Sequence, residues 1–320
     1  LGNEVKLLLN PGAGWSATTP FLYTLSYHQK YCHCGHQKES GYLRKIYSND
    51  FDQSLVDSDW NAPQKKIDSP MGKVLSVRNQ YVKHFDPHFL EQYYKAPYTI
   101  QNYVEYYRKH WEATRWEYES VSDFSNFNFS LPIEFLQKIA PILQEFFEIK
   151  VTFQFRDPIR RFFSEVGSGI VKNIDENDDL KERIWKKTKN HKKLFLYKLK
   201  KGNFSPNCEY LSTFEKFQKV FGEKNCYFVV MEDFWTKKDE LERLSDFLSY
   251  KITKIHENCY VPDMGSRAPR LEWLKDQWES DLVDIDEEIL YEARTVMRPF
   301  YLHWQNKFGK LPDSWVDNIL

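Results

Sequence analysis

Phe153-Gln-Phe-Arg-Asp-Pro-Ile-Arg-Arg-Phe-Phe-Ser-Glu-Val166 is the stretch that decides the fold. It closes an apolar run that starts at Lys150-Val-Thr, turns at Arg156-Asp157-Pro158, and continues as a helical pattern to about Val171. Asp157 stands where an N-cap carboxylate accepts an orphan N–H, and Pro158 where a fixed φ suits the first helical position. Two other segments share this grammar. Val5-Lys-Leu-Leu-Leu9 leads into Asn10-Pro-Gly-Ala-Gly-Trp-Ser-Ala-Thr-Thr19 and a helix from about Pro20. Asn225-Cys-Tyr-Phe-Val-Val-Met231 leads through Glu232-Asp233-Phe234 to a helix over about Lys238–Leu248. Short apolar runs with helical followers predict an α/β fold, a central parallel sheet flanked by helices. Such crossovers gather loops and helix N-termini at the carboxyl edge of the sheet, where ligands bind.

Composition bounds what surrounds these units. The chain has 320 residues, 41% hydrophobic and 28% charged, which suits a folded protein and excludes global disorder. Lys and Arg balance Asp and Glu to a net charge of -1, which argues against a nucleic-acid coat. The five Cys are odd in number and irregularly spaced, so free thiols in a cytoplasmic protein are expected rather than a disulfide framework. No run approaches the length of a membrane span, and no signal peptide is legible. The chain starts at Leu1, so a removed anchor or leader stays open. No linker divides it, and residues 1–320 read as one domain with an aromatic-rich helical insertion at about 44–119. Within that insertion Tyr103, Tyr106, Tyr107, His110 and Trp111 share one helix face. They read as a packing stripe, or alternatively as a wall whose rings stack on an acceptor. Lys181 to Lys201 is basic, either a solvated face or an attractor of anions.

Two loops carry the chemistry. In the first, the glycines allow tight turns, and Ser16, Thr18 and Thr19 supply hydroxyls where a helix begins. That arrangement favours an anion, although a capped helix without a ligand fits as well. No Lys stands where a Walker loop requires one, which disfavours a nucleoside-triphosphate enzyme. In the second, Arg156 at the strand tip, with Arg160 and Ser164 one helical turn apart, could hold a dianionic phosphate. The alternative is a structural Arg–Asp pair. Cys32-His33-Cys34-Gly35-His36 lacks the spacing of a structural zinc site, and no metal is expected. Glu232-Asp233 reads as a helix-capping pair, or as a functional acid pair.

The motifs together resemble the sulfotransferases that use 3′-phosphoadenosine 5′-phosphosulfate (PAPS), and the resemblance implies a P-loop-like sulfotransferase fold. Arg156, Asp157, Pro158, Arg161 and Ser164 match that family's Arg-Asp-Pro-x-x-Arg-x-x-Ser motif, which grips the 3′-phosphate and shifts the second Arg from Arg160 to Arg161. Trp15, Ser16, Ala17, Thr18 and Thr19, following Gly14, match the loop that cradles the 5′-phosphosulfate. His36-Gln-Lys-Glu-Ser-Gly-Tyr-Leu43 resembles a catalytic segment of the glycan-directed, heparan sulfate-type branch, which places Glu39 as the base, with His36 or His33 as alternatives. Met264-Gly-Ser-Arg-Ala-Pro-Arg-Leu271 resembles the loop that closes over the 3′-phosphate, which places Ser266 and Arg267 there. Two positions depart from the pattern: Trp15 replaces a basic residue and Ala17 a glycine. Lys38, or a cation from Lys181–Lys201, is the expected substitute. The implied activity is metal-free sulfuryl transfer from PAPS to an acceptor hydroxyl, on a carbohydrate by this likeness. An inactive glycan- or nucleotide-binding protein of the same fold and, more remotely, a kinase are the alternatives.

Overall fold

The structure, a computed structural model, describes residues 5–14, 16, 18–35, 40–51, 97–163, 165, 196–197, 199–200, 202, 209–253 and 287–318. Five strands form one sheet: β1 (Lys6–Leu9), β2 (Cys32–His33), β3 (Ser120–Asp123), β4 (Glu148–Phe155) and β5 (Cys226–Val230). Their order is β2-β3-β1-β4-β5, and every pairing is parallel. Leu7, Leu8 and Leu9 of the central strand are buried on both faces, as a parallel sheet under helices requires. Each contributes roughly 1.5–3 kcal/mol by leaving water.

The helices divide by face. On one face lie α2 (Tyr42–Phe51), α3 (Ile100–Thr114), α4 (Ile133–Phe146), a helix α5 over 158–163, α6 (Tyr210–Phe221) and α9 (Glu287–Phe308). They share a core with Leu7, Leu9, Val151, Phe153 and Phe155. On the other face lie α1 (Thr18–Tyr23) with a π-helical continuation (Thr24–His28), α7 (Met231–Thr236) and α8 (Lys238–Leu248). These pack on Leu8 and Val229. The chain therefore leaves β1 toward one face and β4 toward the other. That divergence is a topological switch point, the position between the carboxyl ends of β1 and β4 at which α/β sheets form a crevice.

The stripe on α3 is a packing stripe. Tyr103, Tyr106, Tyr107 and His110 are 0–2% exposed, and half-buried Trp111 packs against the same core. These four rings are interior, so they do not form a wall for an acceptor. A Cβ at Gly35, where φ is +70°, would collide with the Tyr106 hydroxyl, so α3 packs directly onto the end of β2. α2 and α3 fall within the stretch expected as an insertion, about 44–119; residues 52–96 between them lie outside the described residues.

Candidate functional site

The first loop is pinned where it leaves β1. Asn10 N–H donates to the Asp123 carbonyl at 2.8 Å, and Asn10 Nδ2 donates to Thr152 Oγ1 at 2.8 Å. The loop is thereby tied to both neighbouring strands. At Gly12, where φ is +25°, a Cβ would lie 2.6 Å from Thr18 Cγ2, so glycine lets the loop fold back on its own helix. That helix begins at Thr18 and includes Thr19, two residues before the expected Pro20 start. Pro20 is third in the helix, where its missing N–H is still one of the orphan donors. Ser16 is fully buried, and its hydroxyl has no hydrogen-bond partner among the described residues. Trp15 and Ala17 lie outside the described residues.

The second loop is a closed network. Asp157 caps α5 as its sequence predicts: Oδ1 accepts from Arg160 N–H at 2.9 Å. Its other oxygen accepts from Tyr301 Oη of α9 at 2.9 Å. Glu232, just after β5, accepts from Asp157 N–H at 3.1 Å and from Trp315 Nε1 at 3.1 Å. Arg156 Nε is 4.0 Å from Glu232 Oε1, and its side chain is 31% exposed at the sheet edge. Burial pushes the Glu232 carboxyl above the usual carboxylate range. Glu232 and Asp233 fall in the first turn of α7, where Asp233 accepts from Lys237 at 3.1 Å. Neither is an N-cap; Glu232 is instead the bridge between β5, the second loop and the C-terminal segment.

Arg161 joins the two loops. Its Nε–H donates to the Gly14 carbonyl at 2.9 Å, and its Nη2 donates to Glu165 Oε2 at 2.8 Å. Arg161 is 0% exposed, whereas Arg160 is exposed. The inward-facing arginine is thus the one the family motif selects, and its visible work is to seat the first loop beside the second. Gly14, Ser16, Thr18 and Arg156 consequently lie at one edge of the sheet.

A third strand end supports that edge. Asp123 at the tip of β3 accepts from Tyr103 Oη at 2.9 Å and from Asn128 Nδ2 at 3.2 Å. Burial pushes its carboxyl up to about 6, against those hydrogen bonds. Ser40 Oγ accepts from Tyr42 N–H at 3.3 Å at the start of α2, and Gly41 N–H donates to Ser125 Oγ at 3.0 Å. These bonds fix the chain immediately after Glu39 beside β3. Lys38, Glu39, His36, Ser164, Gly265, Ser266 and Arg267 lie outside the described residues, as does most of Lys181–Lys201. His33, an alternative base by sequence, is 4% exposed with Nδ1 2.6 Å from His110 Nε2, and so is held in the interior. Among the described residues no group of three His, Cys, Asp or Glu side chains could hold a metal ion.

Asn10, Asp123 and Gln154 were not legible as site residues, except that Gln154 is a polar residue inside the run Val-Thr-Phe-Gln-Phe; Glu232 stood out only as half of an acid pair. No helix among the described residues is long and apolar enough to cross a membrane.

No protein-family model matches the chain, and no curated protein matches it. Among solved structures it is similar to the crystal structure of a sulfotransferase from Alicyclobacillus acidocaldarius, at a TM-score of 0.51 and 13% identity. The similarity covers 97% of this chain and 98% of that one. At that identity the likeness is one of fold: the five-stranded parallel sheet with helices on both faces is the architecture of a sulfotransferase.

Proposed function

We propose that this chain is a sulfotransferase that moves a sulfuryl group from PAPS to an acceptor hydroxyl. The observation that carries the reading is the 2.9 Å bond from Arg161 to the Gly14 carbonyl, which brings the two motif loops together at the β1–β4 crevice. The site fits a bisphosphorylated nucleotide in its chemistry. Arg156 offers a partly exposed guanidinium at one end, and Ser16 a buried hydroxyl in need of a partner at the other. In this reading Arg156, Ser164, Ser266 and Arg267 bind the 3′-phosphate. Gly14 and residues 15–19 hold the 5′ end, Ser16, Thr18 and Thr19 through their hydroxyls. The bound nucleotide supplies the sulfuryl group. Glu39 accepts the proton of the attacking hydroxyl, and Lys38 offsets negative charge that Trp15 cannot. The acceptor is a carbohydrate hydroxyl by the glycan-type likeness of residues 36–43. No described residue needs a metal for these roles.

Titration with 3′-phosphoadenosine 5′-phosphate, followed by assay of labelled sulfuryl transfer from PAPS to glycan acceptors, tests the reading. Binding and transfer without added ATP or magnesium are expected. Trp15 in place of a basic residue favours a second reading, an inactive binder of the same fold. Affinity without transfer to any acceptor would select it, and dependence on ATP and magnesium would select a kinase instead.

A further inference from the structure

The sheet is uneven at its carboxyl edge. Leu9, the last residue of β1, pairs with Val151, yet β4 continues to Phe155 while paired to β5. On the side away from β5, residues 152–155 therefore have no strand partner and follow the register of the chain beyond β1, where the first loop begins. Their side chains alternate between faces. Phe153 and Phe155 enter the core under α6 and α9. Thr152 points to the α1 face, where it accepts from Asn10 Nδ2 at 2.8 Å. Gln154 points the same way, level with Val229 of the α1-side core. The first loop is tied down before Gln154 through Asn10 and Thr152, and beyond it through Gly14 and Arg161. Along the chain, Gln154 accordingly falls between the two points, Thr152 and Arg161, to which the loop is tied, on the face that Thr152 shares.

Gln154 is 0% exposed, and neither Nε2 nor Oε1 has a hydrogen-bond partner among the described residues. Ser16 Oγ and Asn10 Oδ1 are in the same condition. A buried amide with both ends unmet costs stability, and an apolar side chain in a strand between Phe153 and Phe155 would not. Three such groups on one loop and its floor are a concentrated cost at one place, which is how ligand sites differ from cores.

We infer that Gln154 is an oxyanion-binding residue: its Nε2–H donates, with the Ser16 hydroxyl, to the phosphate or sulfuryl oxygen that the first loop holds. This rests on the proposed function for the identity of the nucleotide but not for the presence of an oxyanion. It assigns a neutral donor to the end of the ligand where Trp15 replaces the family's cation.

The test uses the full chain and two apolar variants of similar volume, Gln154→Leu and Gln154→Met. Their ligand-free melting temperatures are measured, with calorimetric titrations of adenosine 3′,5′-bisphosphate, adenosine 3′-monophosphate and inorganic pyrophosphate. Both variants should melt at or above the wild-type temperature and lose about 10-fold or more in affinity for the bisphosphate. Affinity for the 3′-monophosphate, which lacks the 5′ end, should not change. Unchanged bisphosphate affinity, equal losses for both nucleotides, or lower melting in both variants would each overturn the inference. If the wild-type chain binds neither nucleotide, the proposed function falls, and pyrophosphate decides the inference alone. Binding that weakens in both variants sustains it, whereas no binding or equal binding ends it.

Discussion

The two loops at the β1–β4 crevice are built to opposite plans. In the second, the polar groups traced from Asp157 are engaged: its oxygens by Arg160 N–H and Tyr301, its N–H by Glu232, and Glu232 in turn by Trp315. In the first, Ser16 Oγ and Asn10 Oδ1 are buried without partners among the described residues, as are both amide atoms of Gln154 on neighbouring β4. One is a finished clamp that the protein stabilises for itself. The other carries unmet hydrogen-bonding capacity that a ligand can satisfy. On the proposed function, the contrast would separate holding a nucleotide, which needs a rigid anchor, from binding its reacting end, which needs unengaged donors.

Four substitutions test that contrast. The largest effect is expected from Glu39→Gln, which should reduce turnover by about 10²–10⁴-fold. Affinity for 3′-phosphoadenosine 5′-phosphate should survive; undiminished turnover in a steady-state assay would remove Glu39 from the chemistry. Next, Arg156→Ala should weaken binding of the 3′-phosphorylated nucleotide by ~2–4 kcal/mol. Calorimetry would contradict the clamp if the loss were as large for a nucleotide lacking the 3′-phosphate. Third, Tyr301→Phe removes one donor from the buried Asp157 carboxylate and should lower unfolding stability by ~1–3 kcal/mol. Chemical denaturation that shows no loss would mean the second loop does not rely on its network.

The smallest effect concerns pH. The Asp123 carboxyl is pushed up to about 6 from an ordinary value of 3.8, so the folded chain binds the proton more tightly than the unfolded chain. Its contribution to stability therefore falls as pH rises from about 4 to 6, and is regained on acidification through that window. Asp123→Asn should remove this component and leave the protein at least as stable at pH 7. A melting series in which wild type and variant keep the same slope between pH 4 and 7 would contradict it.

Much of the fold was legible because three of its strands are short, largely apolar runs that lead into helix signals. Lys150-Val-Thr-Phe-Gln-Phe155 and Asn225-Cys-Tyr-Phe-Val-Val-Met231 could be little else, and Asp157-Pro158 marked the following helix by capping chemistry. β3 was not legible. Ser120-Val-Ser-Asp123 is not an apolar run, yet all four residues are buried. Long-range partners satisfy it there: Tyr31 O accepts from Ser120 Oγ, and Asp123 accepts from Tyr103. β2 is only two residues long, too short for any period. At the site, helix spacing suggested Arg160, but Arg161 is the buried one: with Ile159, Phe162 and Phe163 on the core side of α5, Arg161 falls on the opposite side, where the first loop covers it. Its partner, the Gly14 carbonyl, belongs to a segment remote in sequence that local pattern cannot reveal. The orphaned state of Gln154 was hidden for the same reason.

The central claim is that two remote turns bind opposite ends of one nucleotide. Its most direct measurement is calorimetric titration of the intact chain with adenosine 3′,5′-bisphosphate, adenosine 3′-monophosphate and adenosine 5′-monophosphate under one set of conditions. The account predicts that the bisphosphate binds at least about 10-fold more tightly than either monophosphate, since each loop adds its own charge-assisted bonds. A bisphosphate no tighter than the better monophosphate would contradict it.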